Sequence, residues 1–203
     1  KINKKKFIYL ISPNEINNKF YHNLSKIFKS NKVSFFQMRF KKYSLEKKII
    51  IGKKIKKICK KNNVKFLIND DPILTRKLNA DGCHLGQKDT NINKARKILG
   101  NKIIGITCHN SIRLAKTAIK NKASYLAFGA FYSTKTKRAK HKAGVKILKQ
   151  VKKLTKTPLV AIGGINSSNY KKLLLNKADF LAISGYIWNN KKLKPLETIK
   201  KLK

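Results

Sequence analysis

Acidic side chains are scarce in this chain, whose 203 residues include 8 Asp and Glu against 50 Lys and Arg. The formal net charge of +42 raises the question of a polyanionic partner. Hydrophobic residues nevertheless make up 41% of the chain, which excludes a disordered basic tail, because such chains lack the apolar side chains that offset ordering entropy. Since the lysines are dispersed along the whole sequence, we expect a solvated basic surface and no nucleic-acid partner.

Long apolar runs and paired cysteines are also missing. No apolar run approaches the roughly 20 residues that cross a bilayer, so we expect no membrane association. The apolar stretch at 7–11 is shorter than the core of a secretory signal. Cys59, Cys83 and Cys108 are odd in number and form no CxxC pair. These features predict reduced cysteines and a cytoplasmic location.

The few acids are concentrated in one short stretch, which contains Asp70, Asp71, Asp81 and Asp89. A hard cation such as Mg²⁺ would explain such a cluster, because it binds one or two carboxylates together with substrate phosphates. Asp71 precedes Pro72 and is interpreted as a helix cap. Asp81 is interpreted as a turn residue. Asp70 and Asp89 remain as candidate metal ligands.

Eight short apolar segments predict buried strands, at 7–11, 33–38, 65–69, 82–85, 103–107, 125–129, 159–163 and 180–184. Their mostly continuous hydrophobicity is typical of parallel strands that are covered on both faces. The stretches between them predict helices, at 15–31, 45–62, 72–79, 91–99, 111–121, 143–155, 167–176 and 195–202. Eight strand–helix repeats favour an α/β fold, a single (β/α)₈ TIM barrel over residues 1–203, ahead of an open doubly wound sheet.

Three segments repeat one pattern, KLNADGCHLG, KNKASYLAFG and LNKADFLAIS. Each runs from a helix end through Ala and a small polar residue into a strand. The pattern predicts the same helix-to-strand joint used three times, which assigns Asp81 and Asp179 to turns.

Polar residues collect where the predicted strands end, which is the catalytic face of this barrel class. In strand order they are Gln37, Arg39, Lys41, Asn69, Asp70, Gly86, Gln87, Asp89, Thr107, His109, Thr134, Thr136, Lys137, Gly163, Gly164, Ser184 and Gly185. Glycine turns and helix N-termini favour phosphate, especially after strands 7 and 8. Arg39, Lys41 and Lys137 around a Mg²⁺ ion fit a pyrophosphate. His84 lies within an apolar strand and is interpreted as a hydrogen-bonded core residue.

The chain resembles the thiamine phosphate synthase family from about Phe7 to Trp188. The resemblance is carried by QMRFK (37–41), INDDPILTRKLNADGCHLGQKD (68–89), IGITCHN (104–110), FGAFYSTKTK (128–137) and VAIGGINSSN (160–169). It implies a (β/α)₈ barrel and a Mg²⁺-dependent transferase. That enzyme joins 4-amino-2-methyl-5-hydroxymethylpyrimidine pyrophosphate to thiazole phosphate and releases pyrophosphate.

The resemblance also implies a role for individual residues. Asp70 and Asp89 would bind Mg²⁺, and Gln37 would face the pyrimidine. Arg39, Lys41, Asn69 and Lys137 would hold the pyrophosphate, and Thr107 replaces a family serine. The thiazole phosphate would be bound by Thr134, Thr136, Gly164, Ile183 and Ser184. Arg39, Lys41, Lys137 and Thr107 are the implied catalytic residues, and the implied partners are these small phosphorylated substrates.

The chain departs from the family pattern at several positions. Phe40 replaces a common acid, Asp71 stands where Arg is frequent, and Gly185-Tyr186 replace smaller residues. One alternative is a thiazole tautomerase, which uses a His where this chain has Ala130. A second alternative is an inactive barrel that binds a polyanion. The sequence leaves self-association into a homo-oligomer open.

Overall fold

The computed structural model describes residues 6–133 and 142–203. Its strands are β1 (Ile8–Ile11), β2 (Val33–Met38), β3 (Lys65–Asn69), β4 (Gly82–Leu85), β5 (Ile103–His109), β6 (Tyr125–Gly129), β7 (Leu159–Ile162) and β8 (Phe180–Ile183). Its helices are α1 (Phe20–Lys29), α2 (Leu45–Lys61), α3 (Pro72–Lys77), α4 (Ile92–Leu99), α5 (Ile112–Lys120), α6 (Lys146–Lys152), α7 (Tyr170–Leu175), α8 (Gly185–Trp188) and α9 (Pro195–Lys200).

The eight strands form a closed barrel in chain order, and each strand pairs in parallel with the next. β1 closes the barrel against β8 through the Ile8–Leu181, Tyr9–Ala182 and Leu10–Ile183 pairs. The predicted (β/α)₈ TIM barrel is therefore confirmed. None of the helices in the described part of the chain is long and apolar enough to cross a membrane.

Two apolar layers hold the barrel together. The larger layer lies between the strands and the surrounding helices and includes fully buried Leu24, Ile55 and Leu148. The smaller layer fills the barrel interior and includes Tyr9 and Tyr125. Because successive side chains of a strand point to opposite faces, continuous apolar runs supply both layers at once.

The three helix-to-strand joints predicted from the repeated sequence pattern share one hydrogen-bond geometry. The side chains of Asp81, Ser124 and Asp179 each accept a hydrogen bond from the backbone N–H of a residue in the preceding strand, at 2.8, 3.0 and 2.9 Å. In each case the backbone N–H of the joint residue donates back to the carbonyl of that same residue. The joints lie at the amino ends of β4, β6 and β8, opposite the predicted catalytic face.

Two helices differ from the sequence-based expectation. α1 begins at Phe20 rather than near residue 15, because the preceding segment is a loop in which the Ile16 N–H donates to the Tyr43 hydroxyl at 3.0 Å. The short helix α8 was not predicted, since four residues are too few to show helical periodicity. Its Trp188 indole donates to the carbonyl of Ile11 at 2.7 Å.

Candidate active site

A pocket of about 310 Å³ opens at the carboxyl ends of β2 and β3. It is lined by Met38, Arg39, Phe40, Lys41, Lys48, Ile68, Asn69, Asp70, Asp71 and Leu74. The lining therefore contains three cations, two carboxylates and an amide above an apolar floor. Parallel strands place their carboxyl ends at one edge, which is why residues from distant parts of the sequence meet here.

Asp70 and Asp89 form a carboxylate pair at this rim. Asp70 follows β3 with φ at +66°, and its N–H donates to the carbonyl of His84 at 2.8 Å. Asp89 accepts a hydrogen bond from the Gly86 N–H at 2.7 Å, which fixes its carboxylate after β4. Burial, the hydrogen bond with Asp89 and the Asp89 charge raise the pKa of Asp70 to about 6, against the opposing effect of Lys41 and Arg39.

Cations surround the carboxylate pair. Lys41 Nζ lies 3.6 Å from Asp70 Oδ2, and the Lys41 side chain is more than half exposed. Arg39 is close enough to act on the charge of Asp70. The Arg39 N–H donates to Ser12 Oγ at 2.9 Å, and the Ser12 carbonyl accepts from Ser184 Oγ at 3.0 Å. Ser12 therefore ties the ends of β1, β2 and β8 together.

A chain of polar side chains crosses the barrel interior beneath the rim. Gln37 Nε2 donates to the Tyr9 hydroxyl at 2.7 Å, and the Tyr9 and Tyr125 hydroxyl oxygens are 2.8 Å apart. His84 Nδ1 lies 2.9 Å from the Tyr125 hydroxyl, and its Nε2 lies 2.9 Å from Thr107 Oγ1. Burial lowers the pKa of His84 to about 4, with Arg39 lowering it further and Asp89 opposing the shift, so the ring is neutral at pH 7.

The turn after β7 lies against the start of the loop after β6. Gly163 and Gly164 have φ of +105° and +63°. A Cβ atom at Gly164 would lie 2.3 Å from the Ser133 carbonyl oxygen, so only glycine allows this approach. Asn169 Nδ2 donates to the Gly164 carbonyl at 3.0 Å and holds the turn.

The predicted site residues fall into four groups. Arg39, Lys41, Asn69 and Asp70 line the pocket, and Asp89 contacts Asp70. Gln37 and Thr107 end the buried polar chain, while Gly164, Ile183 and Ser184 lie at the ends of β7 and β8. Thr134, Thr136 and Lys137 lie outside the described residues. His84 is a hydrogen-bonded interior residue, as its strand context predicted.

Three contributors to the site were not identified from the sequence: Ser12, Tyr9 and Tyr125. The alternation of side chains in β1 and β6 places the two tyrosines on the same interior layer. A further signal is Gly105, where a Cβ atom would lie 1.8 Å from Tyr125 Cζ. A glycine in a strand that leaves room for a large polar ring indicates an interior role for that ring.

Two carboxylates in contact fit a Mg²⁺ ion, which binds one or two carboxylates and takes its other ligands from water and phosphate. Residues 6–133 and 142–203 contain no group of three or more His, Cys, Asp or Glu side chains that could hold a metal by themselves. The donor set therefore suits a cation shared with a phosphorylated ligand rather than a closed structural metal site.

A family model described as thiamine monophosphate synthase matches residues 8–187. The chain belongs to this family. The thiamine-phosphate synthase of Pelagibacter ubique (strain HTCC1062) is 69% identical over 100% of this chain and 98% of its own length. The thiamine-phosphate synthase of Erythrobacter litoralis (strain HTCC2594) is 37% identical over 90% of this chain and 88% of its own length.

Solved structures agree with the family assignment. The thiamine phosphate pyrophosphorylase of Pyrococcus furiosus superposes with a TM-score of 0.86 at 26% identity, over 99% of this chain and 95% of that one. The alpha subunit of tryptophan synthase from the same organism has a TM-score of 0.73 at 9% identity, which reflects the barrel fold alone. These findings confirm the predicted family and the predicted class, a transferase of thiamine biosynthesis.

Proposed function

We propose that the chain couples hydroxymethylpyrimidine pyrophosphate to thiazole phosphate, giving thiamine phosphate and pyrophosphate, in the pocket at the carboxyl ends of the strands. The observation that carries this proposal is the contact between Asp70 and Asp89, with Lys41 and Arg39 beside it. Two carboxylates in contact at the ligand-binding rim offer oxygen ligands to one divalent cation, and the neighbouring lysine and arginine offer positive charge to the diphosphate that would come with it.

Asp70 and Asp89 would hold Mg²⁺, whose chemistry is to neutralise charge on the departing diphosphate. Arg39, Lys41 and Asn69 would bind the same diphosphate oxygens from the pocket wall. A guanidinium binds two such oxygens in a fixed plane, whereas an ammonium acts as a point charge. Lys137 would join them on the grounds of the family resemblance.

The pyrimidine ring and the thiazole phosphate would bind further along the rim of the barrel. Gln37 and Thr107 would face the pyrimidine. The backbone near Gly164, Ile183 and Ser184 would hold the thiazole phosphate, because the glycine turn lets an anion approach the main chain closely. Thr134 and Thr136 would complete that subsite.

The reaction needs positioning and charge stabilisation rather than a nucleophilic side chain. The bond between the pyrimidine methylene carbon and the diphosphate oxygen breaks with its electron pair on oxygen, and the thiazole nitrogen supplies the pair for the new carbon–nitrogen bond. Cations preorganised around the leaving group lower the barrier to the first event. Holding the thiazole in line lowers the barrier to the second.

The remaining expectations concern the molecule as a whole. The whole chain would act as one barrel domain on small phosphorylated substrates in the cytoplasm. The tautomerase alternative is disfavoured because Ala130, at the position of the tautomerase histidine, has no group that could transfer a proton.

The test is to mix the purified protein with both substrates and Mg²⁺ and to measure thiamine phosphate. Asp89→Asn should lower product formation at least about 100-fold, since it removes a carboxylate that would hold the Mg²⁺ needed to neutralise the leaving diphosphate. The matched control is Asp179→Asn, which makes the same change at the opposite end of the barrel and should keep activity. Equal activity in Asp89→Asn and the unaltered protein would refute the proposal, as would a wild-type protein that forms no product.

A further inference from the structure

The network of polar side chains inside the barrel is not required to bind a diphosphate, and none of its members lines the pocket described above. It consists of Gln37, Tyr9, Tyr125, His84 and Thr107, joined by four hydrogen bonds of 2.7 to 2.9 Å. Gln37, Tyr9 and Tyr125 are at most 3% exposed. Three of these side chains are buried and His84 and Thr107 are half-buried, and such a group is costly in a barrel interior unless its members satisfy one another, so their arrangement calls for a functional explanation.

The direction of each hydrogen bond follows from counting protons. Burial raises the pKa of Tyr9 and of Tyr125, so both keep their hydroxyl protons. Tyr9 accepts from the Gln37 amide, and within the described residues its other hydroxyl partner is Tyr125, so the Tyr9 proton goes to Tyr125. The Tyr125 proton then goes to His84 Nδ1.

Counting protons in the same way gives the direction of the hydrogen bond between His84 and Thr107. A neutral imidazole has one N–H and one acceptor nitrogen. Because Nδ1 accepts from Tyr125, the proton of His84 lies on Nε2 and is donated to Thr107 Oγ1. The Thr107 hydroxyl proton is therefore not used by His84. It is available to a ligand above the barrel interior.

We propose that these five hydrogen-bonded side chains position one another. The Gln37 amide sets the tautomer of His84, so that Thr107 presents its hydroxyl proton to the bound pyrimidine. Tyr9, Tyr125 and His84 are positioning residues, and none of them exchanges a proton during the reaction. The identity of the ligand rests on the proposed function. The direction of the hydrogen bonds among the five side chains does not depend on that function.

The contacts of His84 agree with this role. Both ring nitrogens have hydrogen-bond partners within the protein. A general base would need a nitrogen open to substrate. Here the ring instead transmits the orientation of one hydroxyl group to another.

The direct test is nitrogen-15 NMR of the histidine ring in the intact protein without substrate. The signal of His84 is identified by its loss in His84→Gln. The expected tautomer has the proton on Nε2. A proton on Nδ1 in the unaltered protein would overturn the proposal without reference to any activity.

Gln37→Glu should reverse the direction of the hydrogen bonds from Tyr9 to His84. Once ionised, the introduced carboxyl can only accept from Tyr9, so Tyr125 would donate to Tyr9 and His84 Nδ1 would donate to Tyr125. Because position 37 is buried, the spectrum is recorded above the pH at which the infrared carboxylate band of the variant shows that this group is ionised. The expected result is a shift of the His84 proton to Nδ1, and the double variant with Tyr9→Phe should restore it to Nε2. An unchanged tautomer in folded Gln37→Glu with that carboxyl ionised would contradict the proposal. If that variant does not fold, Tyr125→Phe serves instead, and it should leave the two tautomers mixed.

Kinetics test the link to substrate. Tyr125→Phe should lower kcat about tenfold and raise KM for the pyrimidine pyrophosphate, with KM for thiazole phosphate unchanged. Val160→Ala, which loosens the same interior layer and removes no hydrogen-bonding group, controls for packing. Thr107→Ser should retain activity that Thr107→Val loses. The proposal would be contradicted if Tyr125→Phe changed both KM values equally, or if Val160→Ala changed kcat and KM in the same way as Tyr125→Phe. Either result would show that the polar side chains have only a structural role.

Discussion

At Asp70 the proposed function opposes stability. Its pKa is raised to about 6, so the folded protein binds a proton more tightly than the unfolded chain does. Above pH 6 the Asp70 carboxylate is ionised although it is partly buried and lies beside Asp89, and the free energy of unfolding of the metal-free protein therefore falls as pH rises from about 4 to 6. Below that window the penalty is absent.

Asp70→Asn should therefore stabilise the metal-free protein while abolishing coupling. We expect a gain of roughly 1 kcal/mol in unfolding free energy at pH 8, reduced by partial solvent exposure. The gain should disappear below about pH 4, where Asp70 of the unaltered protein is protonated in both the folded and the unfolded state. Urea denaturation at the two pH values measures this, and a loss of stability at pH 8 would argue against a penalty from the buried Asp70 charge.

Magnesium binding should depend on pH through the same group. A cation binds the ionised carboxylate, so Mg²⁺ must displace the Asp70 proton below pH 6. We expect the apparent affinity to weaken by up to about tenfold per pH unit below that value. Calorimetric titration with Mg²⁺ between pH 5 and 8 checks it, with Asp70→Asn as the control that shows no such dependence.

At the level of single residues, the sequence identified the candidate site residues at the strand ends better than those inside the barrel. Asp70 and Asp89 stood out because acids are rare in this chain, and Asp71 caps α3 at 2.8 Å from the Leu74 N–H, as its position before Pro72 indicated. Tyr9 and Tyr125 did not stand out, because a tyrosine in an apolar strand is ordinarily a packing residue. Their function depends on a pairing across the barrel that only the closed sheet creates.

At the scale of elements, the helix-to-strand joints stabilise the barrel end that lies away from the site. Asp179 accepts from the Leu159 N–H at 2.9 Å and lies 2.6 Å from Lys152 Nζ. Asp81 makes the equivalent contacts, but its side chain is 38% exposed against 22% for Asp179, and its lysine is 3.3 Å away.

Asp179→Ala should therefore cost more stability than Asp81→Ala. We expect losses of about 2 and about 1 kcal/mol, because each change leaves a strand N–H without its acceptor and burial increases the penalty. Denaturant unfolding of the two variants measures the difference. Equal losses, or a larger loss in Asp81→Ala, would show that burial of the joint does not set its contribution.

The strands were predicted closely and some helix ends were not. Continuous apolar runs bounded by polar residues define a buried strand, and β2, β3, β4 and β6 have the expected bounds. α1 begins later than its periodicity suggested because tertiary contacts, such as the one between Ile16 and Tyr43, hold the preceding segment as a loop. Local pattern cannot report such contacts.

At the scale of the whole molecule, the charge of +42 acts on stability and on encounter with substrate. Raising ionic strength from about 0.02 to 0.3 M shortens the screening length and weakens the repulsion among the cations. We expect the midpoint of thermal unfolding to rise by a few degrees and KM for the pyrimidine pyrophosphate to increase. A melting temperature that falls with salt would show that self-repulsion is not the dominant effect.

We propose that Asp70 and Asp89 bind a metal-associated diphosphate together with Arg39 and Lys41. Calorimetric titration of pyrophosphate into the protein, with Mg²⁺ and with a chelator, measures this binding. We expect binding that requires Mg²⁺, is retained in Asp179→Asn and is lost in Asp89→Asn. Binding of equal strength without Mg²⁺, or in Asp89→Asn, would contradict it.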